Sequence, residues 1–264
     1  MQLINNYLKT INSTLEVKNL SDIDRLIKKH IEKLPFCNIP ILLNRDIILD
    51  LASITEKMLH NKEGGYCFEH NKLIYEALLF LGFDVTPLFG RVLNNQKIDV
   101  PKTHRITLLT YEDERYIIDV GFGSMSPNQA IKFGSIATKT ILDTSYIIKQ
   151  TDPETFELQT ISNDKYFTLY SFDFHNCNEM DFEVGNFYSS KNKNAVFVNN
   201  LLLSTISDNK ILSLRNNTYH KIFSDYRKEI VVESLDEFRD ILKCDFKYPI
   251  NGEDSKYLFE KFIK

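Results

Sequence analysis

The feature that most constrains this chain is a change of hydrophobic period near Gly82. Before it, apolar residues recur at helical spacing. After it, they fall into short runs rich in β-branched and aromatic side chains. A chain that starts helical and then stays in strands predicts an α+β fold, with segregated layers sharing a core. Leu3, Ile4, Tyr7, Leu8 and Ile11 mark a first helix. Ser21 is read as the cap of a second, carrying Ile23, Leu26, Ile27, His30, Ile31 and Leu34 and stopped by Pro35. Ser53 with Glu56 three residues on reads as a capping box for a short helix through His60. After Gly64-Gly65 comes the strongest helical pattern, with Leu73, Ile74, Ala77, Leu78 and Leu81, and Gly82 at the C-terminal cap.

Beyond Phe83 the reading is of strands. Val85–Val92, Arg105–Tyr111 and Arg115–Val120 lead, and the polar Glu112-Asp113-Glu114 makes the last two an antiparallel hairpin. Tyr146–Ile148, Thr155–Ile161, Lys165–Tyr170, Phe197–Ser204, Lys210–Leu214 and Thr218–Phe223 continue the pattern. Asp181–Tyr188 fits a helix or an extended segment, and Ser234 caps a final helix, Leu235–Leu242.

Composition narrows the function classes. The 264 residues are 43% hydrophobic and 26% charged, ordinary globular values that supply a core without disulfides or metal. A net charge of −4 with no basic run argues against nucleic acid as a partner. The apolar stretches are too short for a membrane span and the N-terminus does not read as a secretory signal, so no membrane association and a cytoplasmic location are expected. Cys37, Cys67, Cys177 and Cys244 form no Cys-x-x-Cys pair, and the six histidines show no ligand spacing with them, so neither a disulfide framework nor a metal site is expected.

One cysteine stands apart. In Glu63-Gly64-Gly65-Tyr66-Cys67-Phe68-Glu69-His70-Asn71, two glycines permit a tight turn and the cysteine opens the helix. Free N–H groups and the helix dipole favour a thiolate there, so the Cys67 pKa is expected to fall. A proton acceptor and an orienting carboxylate are available in His104, which opens one strand of the hairpin, and Asp119, which closes the other. By themselves these residues also fit a buried helix-start cysteine, a strand-end histidine bonded to backbone or solvent, and a turn-forming aspartate.

The same residues resemble the arylamine N-acetyltransferase family. Its Arg-Gly-Gly-x-Cys-x-Glu-x-Asn motif is matched from Glu63 to Asn71, its Leu-Gly-Phe-x-Val by Leu81 to Val85, and its Asp-Val-Gly-Phe-Gly by Asp119 to Gly123. His30 to Asn38 and the segments around Asp181–Tyr188 and Asn194–Leu203 are similar to further family stretches. The resemblance implies a helical bundle over residues 1–84, a central β-barrel-like domain over 85–190 and a C-terminal α/β lid over 191–264, around a cysteine-protease-like Cys-His-Asp core. It implies ping-pong acetyl transfer, with acetyl-CoA as co-substrate and no metal. Cys67, His104 and Asp119 would be catalytic. Phe122, Thr103 and Phe36 would contact the acceptor, and Gly123, Ser124 and Phe197 the CoA. The implied partner is a small-molecule arylamine or hydrazine, and the protein a monomer or weak oligomer. Glu69 and Asn71 would brace the nucleophile turn, while His70 is read as an exposed helix histidine.

Two positions depart from the family: Glu63 replaces its arginine and Cys37 its glutamate. Glu63 is therefore expected to place negative charge near Cys67 and to weaken the nucleophile. Rival readings are an amide synthase or other acyl transferase with a different acyl donor, a non-catalytic CoA-binding relative, and a thiol hydrolase.

Overall fold

The change of period falls where the architecture changes. The computed structural model describes residues 2–13, 16–134, 138–139, 142, 144–162 and 165–264. Its first part is helical: α1 (Gln2–Thr10), α2 (Leu20–Lys33), α3 (Ile39–Leu42), α4 (Leu51–Thr55) with a π-helical continuation over Glu56–His60, and α5 (Cys67–Phe80). A two-residue strand, β1 (Phe36–Cys37), interrupts it. Then come β2 (Asp84–Val92), β3 (His104–Tyr111), β4 (Glu114–Ile118), β5 (Ile131–Lys132), β6 (Thr138–Lys139), β7 (Ser145–Gln150), β8 (Phe156–Ser162) and β9 (Lys165–Phe172). They form one sheet in the order β5-β4-β3-β2-β9-β8-β7-β6, and β5 returns against β7 so that the sheet nearly closes into a barrel. Next are α6 (Glu179–Lys191) and α7 (Val196–Asn199). A second antiparallel sheet follows, of β10 (Leu202–Ser207), β11 (Lys210–Arg215), β12 (Thr218–Phe223) and β13 (Arg227–Val231), then α8 (Leu235–Asp240) and α9 (Gly252–Leu258). The fold is α+β.

Both faces of the barrel sheet are packed, and the pleat sorts them. Ile106 and Ile117 join the barrel interior with Leu88, Leu158 and Tyr170. Leu109, Tyr116 and Ile118 face the helices and join Ile23, Ile27, Leu73 and Leu78. The β3–β4 hairpin turns on Glu112 and Asp113, both with positive φ (50° and 61°), the two-residue turn whose twist matches the strands. Its register, Thr107 opposite Ile118, puts Asp119 opposite Ile106 and makes it the diagonal neighbour of His104. Both side chains therefore share the barrel-interior face at one end. A one-residue slip would send them to opposite faces.

Several expected boundaries shift, each for a local reason. The α2 cap is Asn19, whose side chain accepts from the Asp22 N–H, rather than Ser21. Asp50, not Ser53, caps α4; Ser53 donates to it through both N–H and hydroxyl, the carboxylate being the stronger acceptor. Phe197–Ser204 is not one strand: Asn199 and Asn200 side chains bond the Ala195 and Val196 carbonyls and close a short helix before β10 begins. Strands β1, β5, β6 and β13 and helices α3 and α9 lie outside the expected elements. β1 exists only through pairing with β10, Phe36 opposite Ser204 and Cys37 opposite Leu203, a contact invisible to local pattern.

Candidate active site

The start of α5 is held against the hairpin by close backbone approach. Gly64 has φ +65°, and a Cβ there would sit 2.4 Å from the Pro35 carbonyl. At Gly121 a Cβ would meet the Asn71 amide at 2.6 Å and the Cys67 Cα at 2.8 Å. Glycine at 121 is thus what lets the strand end lie on the helix start. Asn71, one turn after Cys67, fastens the two: its Nδ2 donates to the Arg105 carbonyl (2.6 Å) and to Asp119 Oδ1 (2.9 Å), and its Oδ1 accepts from the Val120 N–H (3.0 Å). Asp119 Oδ1 also accepts from the Gly121 N–H (2.9 Å), and its Oδ2 meets His104 Nε2 at 2.7 Å. Every member of this network is buried.

A cavity of about 630 Å³, a size usual for small-ligand sites, opens above it. Cys67, Thr103, His104, Phe122, Gly123, Ser124, Phe36 and Phe197 all line it; Asp119 lies behind His104 rather than on the wall. The Cys67 thiol points toward the Thr103 carbonyl at 3.7 Å. Phe122 stands edge-on to His104, with ring centroids 5.1 Å apart. Phe197 lies 6.0 Å from Phe36 and edge-on to Tyr66 at 5.2 Å. Glycine 123 opens a 3-10 turn through Met125 that carries Ser124 to the wall.

Electrostatics correct two expectations. Burial pushes the Cys67 thiol up rather than down, and the Asp119 and Glu69 charges push the same way. Bonds from the Phe68 and Arg105 N–H groups oppose this and are outweighed. The carboxylates acting on the thiol are thus Asp119 and Glu69. Glu63 is turned to Arg45 (3.3 Å), which also holds Asp254 (3.1 Å). For Asp119, burial raises the carboxyl pKa, but the charge and hydrogen bond of His104 and the bonds from Asn71 and Gly121 outweigh it and hold it below its ordinary value.

Other residues were not legible as parts of the site. Tyr170, fully buried in the barrel, packs 4.8 Å from the His104 ring. Lys57 pairs with Glu69 at 2.5 Å, and Glu69 in turn accepts from the Tyr66 N–H at 3.2 Å. His70 is not exposed: it is buried and bonded to His30 (2.8 Å), which is bonded to Tyr7 (2.7 Å). Tyr170 was readable only as a strand residue and His30 only as one position of a helical stripe, and neither pattern says what the side chain meets. Among the described residues no group of acidic, histidine or cysteine side chains has the arrangement of a metal site.

The α+β fold thus sets a cysteine at a glycine-tight helix start on the wall of the cavity that His104, backed by Asp119, also lines, and comparison with known families places this chain among N-acetyltransferases. The model of the N-acetyltransferase family matches residues 19–254. An arylamine N-acetyltransferase of Escherichia coli K12 is 34% identical over 234 residues, covering 88% of this chain and 82% of that protein. An arylamine N-acetyltransferase / N-hydroxyarylamine O-acetyltransferase of Salmonella typhimurium is 33% identical, over 76% of this chain and 71% of its own. The solved arylamine N-acetyltransferase of Salmonella typhimurium superposes with a TM-score of 0.91 at 28% identity, covering 99% of both chains. A Mycobacterium marinum arylamine N-acetyltransferase solved in complex with CoA shares the fold, with a TM-score of 0.89 at 24% identity over 98% of this chain and 99% of that one. The chain belongs to the arylamine N-acetyltransferase family.

Proposed function

We propose that this enzyme moves an acetyl group from acetyl-CoA to the nitrogen of an arylamine or hydrazine by a ping-pong route through Cys67. The observation that carries the reading is the convergence of Cys67 and His104 on one cavity, with Asp119 bonded behind the imidazole at 2.7 Å. Burial and two carboxylates act against a free thiolate at Cys67. His104 therefore takes the thiol proton as the Cys67 sulfur attacks, and the imidazolium formed is backed by the Asp119 carboxylate. Cys67 Sγ bonds to the acetyl carbon, the bond from that carbon to the CoA sulfur breaks, and CoA leaves with the proton from His104. The amine then attacks acetyl-Cys67; its proton passes to His104 and on to the departing cysteine sulfur.

The aromatic walls suit a flat acceptor. Phe122 and Phe36 face the cavity beside Thr103, while Gly123, Ser124 and Phe197 line the approach assigned to CoA. The apolar lining also limits water, against which an acyl-enzyme must be protected. No described helix is long and apolar enough to cross a membrane. All four cysteines are free, which accords with a cytoplasmic enzyme.

Intact mass measured after incubation with acetyl-CoA, with and without an aminobenzoate or a hydrazine, tests this. The expected result is a single acetyl adduct on Cys67, discharged by amine and absent in Cys67→Ser. An adduct lost equally fast to water would support a hydrolase. Absence of adduct and of CoA release would leave a binding protein. Persistence of the adduct in Cys67→Ser would refute the assignment.

A further inference from the structure

The turn that presents Cys67 contains a buried charge pair that the reaction itself does not use. Glu69, two residues after the nucleophile, is 1% exposed. One oxygen, Oε2, accepts the Tyr66 N–H at 3.2 Å and so caps the helix that Cys67 opens. The other, Oε1, meets Lys57 Nζ at 2.5 Å. That ammonium is buried and has Glu69 as its one ionic partner among the described residues. Lys57 comes from the π-helical turn Glu56–His60, an extra-residue turn that re-aims successive side chains. The next residue, Met58, packs its sulfur on Gly65, 2.8 Å from where a Cβ would stand. One turn of helix thus grips the glycine and neutralises the carboxylate of the nucleophile loop.

We propose that Lys57 is a positioning residue for acetyl transfer: by pairing with Glu69 it holds the Tyr66–Cys67 turn and offsets part of the negative charge that opposes the Cys67 thiolate. Glu69 is close enough to Cys67 for its charge to act on the thiol. The other titratable or charged groups around the turn are Glu63 with its partner Arg45, Asp119 and His104 from the hairpin, Tyr66 and His70 from α5 and its cap, Glu183 from α6, Cys37 from β1, and Tyr248. Of these, Arg45 is a cation held by Glu63 and Asp254, and only His104 and His70 are able to become cations by gaining a proton. His70 is bonded into a neutral chain, and the proton His104 gains comes from Cys67 itself. Lys57 is the standing positive charge that answers Glu69. A buried carboxylate left without it is costly and repels a neighbouring thiolate.

The inference rests on Cys67 as the nucleophile, so its test reads Cys67 directly. Alkylation by iodoacetamide is followed against pH on the Cys67 peptide by mass spectrometry, alongside kcat for acetyl transfer. In Lys57→Met the thiol pKa rises by about one unit, and alkylation at a fixed pH below it slows about tenfold. In Glu69→Gln the shift has the opposite sign: the amide still caps Tyr66, Lys57 remains, and alkylation at the same pH is faster than in the parent. In the Lys57→Met/Glu69→Gln double variant the rate returns toward the parent. A purely structural pair would slow all three, and that result overturns the proposal. So does a Lys57→Met protein with the parental pH profile. If Lys57→Met does not fold, the Glu69→Gln and double variants still carry distinct expectations, one faster than the parent and one near it, and slowing in both overturns the proposal. An absent acetyl adduct on Cys67 in the parent would instead refute the nucleophile assignment and leave the alkylation result standing by itself.

Discussion

Two buried histidine networks lie on different faces of α5, and they differ in what stands at the end of the chain. On one face His104 meets the Asp119 carboxylate at 2.7 Å, braced by Asn71. On the other His70 meets the Pro35 carbonyl at 3.2 Å, His30 Nε2 meets His70 Nδ1 at 2.8 Å, and Tyr7 meets His30 Nδ1 at 2.7 Å. The Pro35 carbonyl only accepts, so His70 carries its proton on Nε2 and accepts at Nδ1 from His30 Nε2–H, while His30 Nδ1 accepts from the Tyr7 hydroxyl. Every donor then has one acceptor with both rings neutral, and an added proton would set donor against donor. Burial accordingly lowers the His30 pKa well below the ordinary 6.5 and that of His70 to about 4. The comparison teaches that burial alone does not fit a histidine to take up a proton. A carboxylate behind the ring provides for a charge; a carbonyl and a phenol forbid one.

The most severe way to break the contrast is Asp119→Asn. It removes the charge while keeping a similar shape, and it leaves an amide facing His104 Nε2. We expect kcat/KM for acetyl transfer to fall on the order of 10³–10⁴-fold, the scale found when the orienting carboxylate of such a triad is neutralised. Stopped-flow release of CoA measures it. A loss smaller than tenfold would show that the carboxylate is not what separates the two networks.

The pH dependence of stability comes next. Unfolded, both chain histidines protonate near 6.5; folded, they resist, so the unfolded state binds more protons between about pH 6.5 and 4. Stability therefore falls as pH is lowered through that window, by about 3 kcal/mol for His70 alone. Asp119 acts in a different window. Its stabilisation is present above the ordinary carboxylate value and is lost as pH falls through its lower folded value. Urea unfolding across the upper window, in the parent and in a His30→Phe/His70→Leu variant, separates them. A parent whose stability is flat there contradicts the neutral-chain assignment. A smaller effect is expected of His70→Leu by itself near neutral pH. It strands the buried His30 Nε2–H, at a cost of about 1–3 kcal/mol in unfolding free energy, and it leaves Asp119 and His104 in place. Loss of acetylation without loss of stability would reverse the roles given to the two networks.

What the sequence made legible follows the same division. The period change, the hairpin and the Cys67, His104 and Asp119 positions were readable because each depends on local pattern or on a short motif. Phe36, Thr103, Phe122, Gly123, Ser124 and Phe197 were placed by resemblance, and the chain carries all of them to one cavity wall. The second network was not readable. His70 sits on a helix whose apolar positions run almost all round, so neither spacing nor neighbours distinguished a buried ring from an exposed one. Its partners Tyr7 and His30 come from two other helices, and no local rule pairs them. The Lys57–Glu69 pair was hidden for a related reason: a π-helical turn breaks the expected spacing and points Lys57 inward.

The smallest expected effect concerns Glu63, the residue whose sequence position, four before Cys67, made it look most damaging to the nucleophile. Its carboxylate is 19% exposed and paired with Arg45, a side chain 47% exposed that also holds Asp254. A pair this accessible is screened by solvent and contributes about 0–1 kcal/mol to stability. Because Arg45 neutralises it, its charge reaches Cys67 weakly. Glu63→Gln should leave the pH profile of Cys67 alkylation unchanged, while Glu69→Gln, two residues on the other side of the thiol, should shift it. The two substitutions are chemically identical and differ only in burial and in which cation answers the carboxylate. Equal shifts from both would mean that proximity in the chain, rather than burial and pairing, sets the field at Cys67.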